Sequence, residues 1–501
     1  MSKFYITTPI YYVNDKPHIG HAYTTIAADV LARYHRLKGD QVFFLTGTDE
    51  HGAKVAQSAK EAGKLLQEFC DENSAKFQMA WDRLNIANDH FIRTTSNQHK
   101  VGVAKFLNKL KAAEAIYKDD YEGLYCTGCE KFITEKDLVD GLCVDHKKPP
   151  EILKEKNYFF KLKAYLPKLA ELINSGELII LPANKKNEVL GLIKQGLEDF
   201  SISRESVKWG IELPFDKSQV TYVWVEALQN YITGIGYGDN DAQFNKFWPA
   251  DIHLMAKDII KFHALYWPAM LLAAELPLPK VIFAHGFFTI DGEKMSKSLG
   301  NVIDPEALVD DFGSDAVRYL LLSQFPFGAD GDVKAGEFVI QYNADLANGL
   351  GNLTSRVLSM AEKYVAGLVP AKDFEFSDEV AGIWHQYEEA MKNFQIDKVI
   401  ETIRKLNAFA DGYTERQKPW QLVKTNQDQL VKVIYNLLEM IRHLALMVYP
   451  IMPETAEQIF EYLQQTDWKN KKYKELIDWG GLEPGVKVEK AKPLFPRFEK
   501  E

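Results

Sequence analysis

Residues 4–46 read as an apolar strand (4–10), a turn around Gly20, a helix with apolar residues at helical spacing (23–37) and a second apolar strand, QVFFLT (41–46). A further helix begins near Ala53. Strands that alternate with helices in this way build a parallel, doubly wound α/β sheet. The alternation breaks near residue 116 at a Gly- and Cys-bearing segment. It resumes near 220 with DIHLMA (251–256), a helix through 259–272 and the strand VIFAH (281–285). One sheet interrupted by an inserted module fits better than two unrelated domains. From about 335 the pattern becomes long amphipathic helices: Val380, Ile383, Trp384, Tyr387, Met391 and Phe394 share a face, as do Leu430, Val433, Ile434, Leu437, Leu438, Ile441 and Leu444. The expected organisation is an α/β first half (1–115), an insertion (116–185), an α/β second half (186–292), a loop and stem-contact region (293–334), an all-α helical bundle (335–463) and a tail packing back on the body (464–501).

No apolar run approaches the roughly 20 residues of a membrane span. The opening residues, MSKFYITT, enter the first strand without the apolar core or cleavage site of a signal peptide. The cytosol is the expected compartment and no membrane partner is expected. A net charge of −10 argues at face value against a polyanionic partner. That inference is weak, because a polyanion is met by a local basic face and not by the average.

The first chemical signal is His18-Ile19-Gly20-His21, between the first strand and the first helix. A helix N-terminus offers free N–H groups and a positive dipole to phosphate. Gly20 has no Cβ, so a base or phosphate can approach the backbone, and the flanking histidines can donate to triphosphate oxygens. Alone, four such residues describe a turn with two half-exposed histidines equally well; the strand before and the helix after favour phosphate. The second signal, Lys294-Met295-Ser296-Lys297-Ser298, sits between Gly292 and Gly300. Two lysines three apart on such a loop make a mobile cationic clamp for a leaving pyrophosphate. The third is Cys126-x2-Cys129, then thirteen residues, then Cys143-x2-His146. Two ligand pairs on tight knuckles close a tetrahedral S₃N shell around one Zn²⁺, and a shell with no open position is structural. Cys70 has no partner in the sequence and reads as a small buried hydrophobe.

Together and in this order, the first two signals resemble the "HIGH" and "KMSKS" signatures of the class I aminoacyl-tRNA synthetases. The stretches TPIYYVNDKPHIGHAYTT, FFLTGTDEHG, GLEDFSISRES, YVWVEALQNY, KDIIKFHALYWPAML and GEKMSKSLGN extend the resemblance to the methionine-specific family, from residue 4 to about 453. The interval from His18 to Lys294 leaves no room for the editing insertion of the leucine, isoleucine and valine enzymes. The metal-binding cysteine of the cysteine enzymes has no counterpart near His18 or His263.

The resemblance implies a Rossmann-type core and ATP-dependent formation of methionyl-adenylate, with Mg²⁺ accompanying ATP, followed by transfer to methionine tRNA, initiator and elongator alike. It implies catalytic His18, His21, Lys294 and Lys297, with Gly20, Asp258 (at the ribose) and Ser296 also holding ATP. The methionine pocket it implies comprises Pro9, Ile10, Tyr12, Asp49 (at the ammonium), Trp224, Ala227, Tyr231, Ile259, His263 and Trp267. Aromatic walls suit a polarizable thioether, to which His263 or Tyr231 would donate a weak hydrogen bond. Leu228 stands where some relatives have Pro, reshaping one wall. Asn352, Arg356 and Trp420 are implied at the anticodon, where unpaired bases stack on aromatic and guanidinium faces. Some relatives dimerise through an appended C-terminal domain, and since this chain ends at Glu501 a monomer is expected. The competing readings are another class I synthetase and a tRNA-binding paralogue without catalysis.

Overall fold

Strand β1 (Lys3–Tyr12) is buried on both faces from Phe4 to Thr8, which requires helices on both sides of its sheet. The computed structural model describes residues 2–14, 16–127, 131–133, 135, 138–144, 147–290, 293–294 and 303–498. Helix α1 (Ile19–Leu37) carries the chain from β1 to its parallel neighbour β2 (Gln41–Asp49), and β3 (His90–Arg93) follows on the same side. On the other side of β1 lie Ile252–Ala256, Val281–His285 and the edge strand Ile179–Leu181, all parallel. The direction of winding reverses beside β1, so a crevice opens at the C-terminal ends of β1 and Ile252–Ala256. Pro9 has no N–H to give the ladder. The β1–β2 register accordingly shifts between Thr7↔Leu45 and Ile10↔Gly47, a bulge that re-aims the last residues of β1 at this crevice.

The insertion is a long antiparallel hairpin, Ile116–Cys126 with Glu151–Phe160, carrying a smaller hairpin of Leu138–Val139 and Leu142–Cys143. Residue 185 is not a clean border. Ile179–Leu181, before it, belongs to the central sheet, while Phe200–Ser201, after it, pairs with the insertion hairpin. The expected single helix over 259–272 is a 3₁₀ turn (Lys257–Ile259), a π-helical turn (Phe262–Tyr266) and a short α-helix (Trp267–Ala273).

The helical part is built around Gln427–Val448, which is buried almost all round because Asn352–Val365, Ile396–Gln417 and Pro453–Tyr462 surround it. Its buried Glu439 accepts the N–H groups of Gly480, Gly481 and Leu482, and Trp479 stacks on His443 with centroids 5.5 Å apart. These contacts draw the tail back onto the bundle. Among the described residues no helix is long and apolar enough to cross a membrane.

Bundle and sheet meet at Arg318, in the helix Ser314–Leu322. Its guanidinium is fully buried and donates to Asp29 Oδ2 on α1 at 2.7 Å and to the carbonyls of Leu84, Asn85, Pro450 and Ile451. Removing one partner of a buried pair strands the other charge. Arg318→Ala is therefore expected to lower stability by about 3–5 kcal/mol in urea unfolding; a loss below about 1 kcal/mol would show that water or Arg33 replaces it.

Candidate active site

His18 and His21 cap α1 reciprocally. His18 Nδ1 accepts the Gly20 N–H at 3.1 Å, and His21 Nδ1 accepts the His18 N–H at 3.3 Å. Their rings stack with centroids 3.7 Å apart. Burial brings the His18 imidazole down to about 4, and burial together with His18 drives His21 well below the ordinary range. A neutral ring that accepts at Nδ1 carries its proton on Nε2. Both histidines thus hold an Nε2–H donor and no net charge. The backbone differs from the expectation of free N–H groups: Ile19 N donates to Ile303 O, Gly20 N to His18 and His21 N to the His18 carbonyl. The side chains, not the amides, are the donors left at this end of the helix.

The residues around the second signature frame the same turn. Phe288 packs edge-on against Tyr23 at 4.7 Å, and Lys294 pairs through its backbone with Thr289. On the far side Ile303 O accepts from Ile19, and Lys16 bridges to Asp304 at 2.5 Å. The side chain of Lys294, and Ser296 and Lys297 altogether, lie outside the described residues.

The candidate methionine pocket is assembled from four segments. Tyr12 meets Trp224 edge-on at 6.3 Å, Trp224 stacks on Phe262 at 4.0 Å, and Tyr231 contacts both His263 and Trp267. Asp49, Ala227, Tyr231, His263 and Trp267 are buried, whereas Pro9, Ile10, Tyr12, Trp224 and Ile259 are half-buried and Asp258 is exposed. Ile259 O lies 3.0 Å from His263 Nδ1, which donates to it. Nε2 of the ring then accepts, and the Tyr231 hydroxyl donates to it at 2.6 Å. This corrects the expectation of a hydrogen bond from His263 or Tyr231 to sulfur: the His263 proton is held by the Ile259 carbonyl and the Tyr231 proton by His263 Nε2, leaving shape and polarizability as what these two residues would offer a thioether.

The family described as "tRNA synthetases class I (M)" matches residues 4–145 and 134–358, and "Anticodon binding domain of methionyl tRNA ligase" matches 366–501. The methionine–tRNA ligase of Thermotoga maritima is 44% identical across 99% of this chain and 80% of its own length, and that of Rickettsia conorii is 43% identical across 99% of both. The methionyl-tRNA synthetase of Mycobacterium tuberculosis in complex with methionyl-adenylate superposes with a TM-score of 0.94 at 41% identity, covering 99% of this chain and 100% of that one. Its apo form gives 0.87 at 38% identity, with 100% and 99% covered.

The chain belongs to the methionine–tRNA ligases.

In this ligase Arg356 and Trp420 come together although they lie on different helices. The Arg356 guanidinium sits 5.5 Å from the Trp420 ring centroid and pairs with Glu415 at 2.5 Å. Asn352 is exposed one helical turn before Arg356. Trp420 is 38% exposed, so it is not a core residue. Of the expected zinc ligands, Cys126 and Cys143 share one small buried cluster with Ile133. Cys129 and His146 lie outside the described residues, and among the described residues no group of three such ligands is assembled.

Two buried pairs escaped the sequence reading. His51 Nδ1 meets Glu226 Oε1 at 2.7 Å, joining the segment after β2 to the helix that bears Trp224 and Ala227. Burial raises the Glu226 carboxyl, with His51 opposing. Arg204 pairs with Glu155 at 3.0 Å, and although burial would raise it the Glu155 carboxyl is held down to about 2, chiefly by hydrogen bonds from Arg204 and Ser206. A charged residue within the apolar run YVWVEAL was the available signal for Glu226, since a buried charge needs a partner.

Burial also lowers His253, His263 and His285. For each such imidazole the unfolded state binds more protons below about pH 6.5, so stability falls as pH drops from there toward the folded values. Unfolding free energy at pH 5 should lie more than about 1.4 kcal/mol below that at pH 7.5, the linkage of one imidazole over one pH unit. Equal stability at the two pH values in urea titrations would show that these rings are charged when folded.

Proposed function

We propose that the chain activates methionine in the crevice at the ends of β1 and Ile252–Ala256 and passes it to methionine tRNA. The methionine carboxylate attacks the α-phosphorus of ATP in line and pyrophosphate leaves. Neutral His18 and His21 donate from Nε2 to phosphate oxygens at the start of α1, Gly20 admits the nucleotide, and Lys294 and Lys297, with Ser296, hold the leaving pyrophosphate. The Mg²⁺ accompanying ATP enters with the substrate. Asp258 binds the ribose, Asp49 the ammonium group, and the pocket from Pro9 to Trp267 the side chain. A hydroxyl of the tRNA's terminal ribose then takes the aminoacyl group and AMP leaves. No protein nucleophile is needed. Donors fixed before the reaction, where charge develops, are the source of rate. The observation that carries this reading is the capping box: it orders both imidazoles as uncharged donors with no reorganisation at the moment of reaction.

Asn352, Arg356 and Trp420 read the anticodon; the proximity of the Arg356 guanidinium to the Trp420 ring supports one shared surface for unpaired bases. Cys126, Cys129, Cys143 and His146 hold one structural Zn²⁺. The burial of Cys126 and Cys143 in one cluster supports this, because a thiolate shell excludes water and fixes a knuckle too small for its own core. Metal analysis should find one zinc per chain, and Cys143→Ser should lower that content and loosen the insertion while the sheet remains folded. Full occupancy in this variant would mean other ligands.

Pyrophosphate exchange into ATP should depend on methionine and be negligible with leucine. Comparable exchange with both would assign the chain another amino acid, and none with any amino acid would make it a non-catalytic paralogue. Trp420→Ala should leave exchange and melting temperature near wild type while tRNA charging falls about 5- to 150-fold, the effect of losing roughly 1–3 kcal/mol of stacking. Lys297→Ala should fail already at exchange. Parallel loss of both activities in Trp420→Ala would return this tryptophan to a structural role.

A further inference from the structure

One fully buried polar side chain outside the assigned pocket is joined to two of the pocket's walls. His253, in Ile252–Ala256, is the register partner of Thr7 on β1 and has no solvent exposure. Its Nδ1 lies 2.8 Å from Thr7 Oγ1, its Nε2 accepts the Trp267 indole N–H at 3.3 Å, and its ring stacks on Tyr231 with centroids 4.2 Å apart. An indole N–H only donates, so Nε2 holds the lone pair and the neutral ring gives its single proton to Thr7 Oγ1. Burial keeps the ring neutral. Tyr231 is fixed at three further points: its carbonyl accepts the Tyr5 hydroxyl at 2.6 Å, its hydroxyl donates to His263, and its ring packs tilted against Trp267 with centroids 6.1 Å apart.

Packing alone would be served as well by an apolar residue of similar size, without the cost of desolvating an imidazole. What histidine adds here is an acceptor for Trp267 at one nitrogen, a donor to β1 at the other, and a flat face for Tyr231. We propose that His253 is a positioning residue for amino-acid selection, setting the rotation of Trp267 and the plane of Tyr231 where the substrate side chain is read. The proposal rests on the pocket assignment made above.

The test compares His253→Gln with His253→Met. The two side chains are similar in length and flexibility, and only glutamine offers an amide to Trp267 and Thr7. Both lose the stacked ring, so the difference between them isolates the polar role. In methionine-dependent pyrophosphate exchange, measured well below the lower melting midpoint, His253→Met should raise the methionine KM about tenfold, the scale of a modest pocket misfit. Its KM for ATP and its kcat should change by less than about threefold, and His253→Gln should recover most of the loss. Combining His253→Met with Tyr231→Ala should add little beyond Tyr231→Ala alone, because one acts through the other. Equal behaviour of the Gln and Met variants, a parallel rise in both KM values, or additive effects with Tyr231→Ala would overturn the proposal. If Tyr231→Ala itself leaves the methionine KM unchanged, the pocket assignment fails first and the role of His253 falls with it.

Discussion

The carboxylate of Asp29, in the middle of α1 and entirely buried, is the interaction around which the sheet, its first helix and the bundle are set. Burial alone would push it up, but Arg318, Arg33 and the Ala87 N–H hold it below the usual carboxylate range. Arg318 satisfies five acceptors with its five N–H groups, one on Asp29 and four on backbone carbonyls from two distant parts of the chain. A lysine has three donors and no planar fork, so it could not take the same place. Buried pairs of this kind add little net stability over an apolar substitute, and their best-attested use is to specify a register. Here the register is the angle between α1 and the helices that follow the lysine loop.

That angle matters to the proposed reaction, because His18 and His21 stand at the N-terminus of α1. In the proposed reaction the electrostatic work is divided between residue types. Stacked 3.7 Å apart, two imidazolium rings would repel, and burial already favours the neutral form. In that proposal the neutral histidines act as oriented dipoles, while positive charge comes from Lys294 and Lys297, on a segment whose described flanks are tied to the same turn. Neutral donors keep their geometry whether or not phosphate is bound, and charge held on a separate segment can follow the leaving group.

Much of this was legible in the sequence. Apolar strands alternating with helices announce a parallel sheet, and the first signature lies where strand meets helix. What escaped was non-local or too short. The edge strand Ile179–Leu181 offers three apolar residues, too few for any period. The π turn at Phe262–Tyr266 differs from an α-helix by one hydrogen-bond step over five residues, which no hydrophobic pattern resolves. The pairs His51–Glu226 and Asp29–Arg318 span 175 and 289 residues. Periodicity marks those positions as interior without saying what meets them. Donor directions were the deepest omission: Tyr231 and His263 are correctly aromatic and adjacent, but only the carbonyl of Ile259 reveals that neither has a proton to give to sulfur.

The same joint governs the distance between the crevice and the pair of half-buried Arg356 and exposed Trp420. Pro450 and Ile451 follow Tyr449, the C-cap of Gln427–Val448 at the centre of the bundle, and their carbonyls accept from the Arg318 cation. A cation at a helix C-terminus is favoured by the helix dipole. Arg318 is thus balanced by Asp29 on the sheet side and by the negative end of the bundle's central helix on the other. Every donor of the guanidinium is engaged in this one arrangement, and a rotation of the bundle by one residue would strand several buried carbonyls at once. Such a joint behaves as a ruler and not as a switch, since a switch requires a second packing in which the same groups are also satisfied.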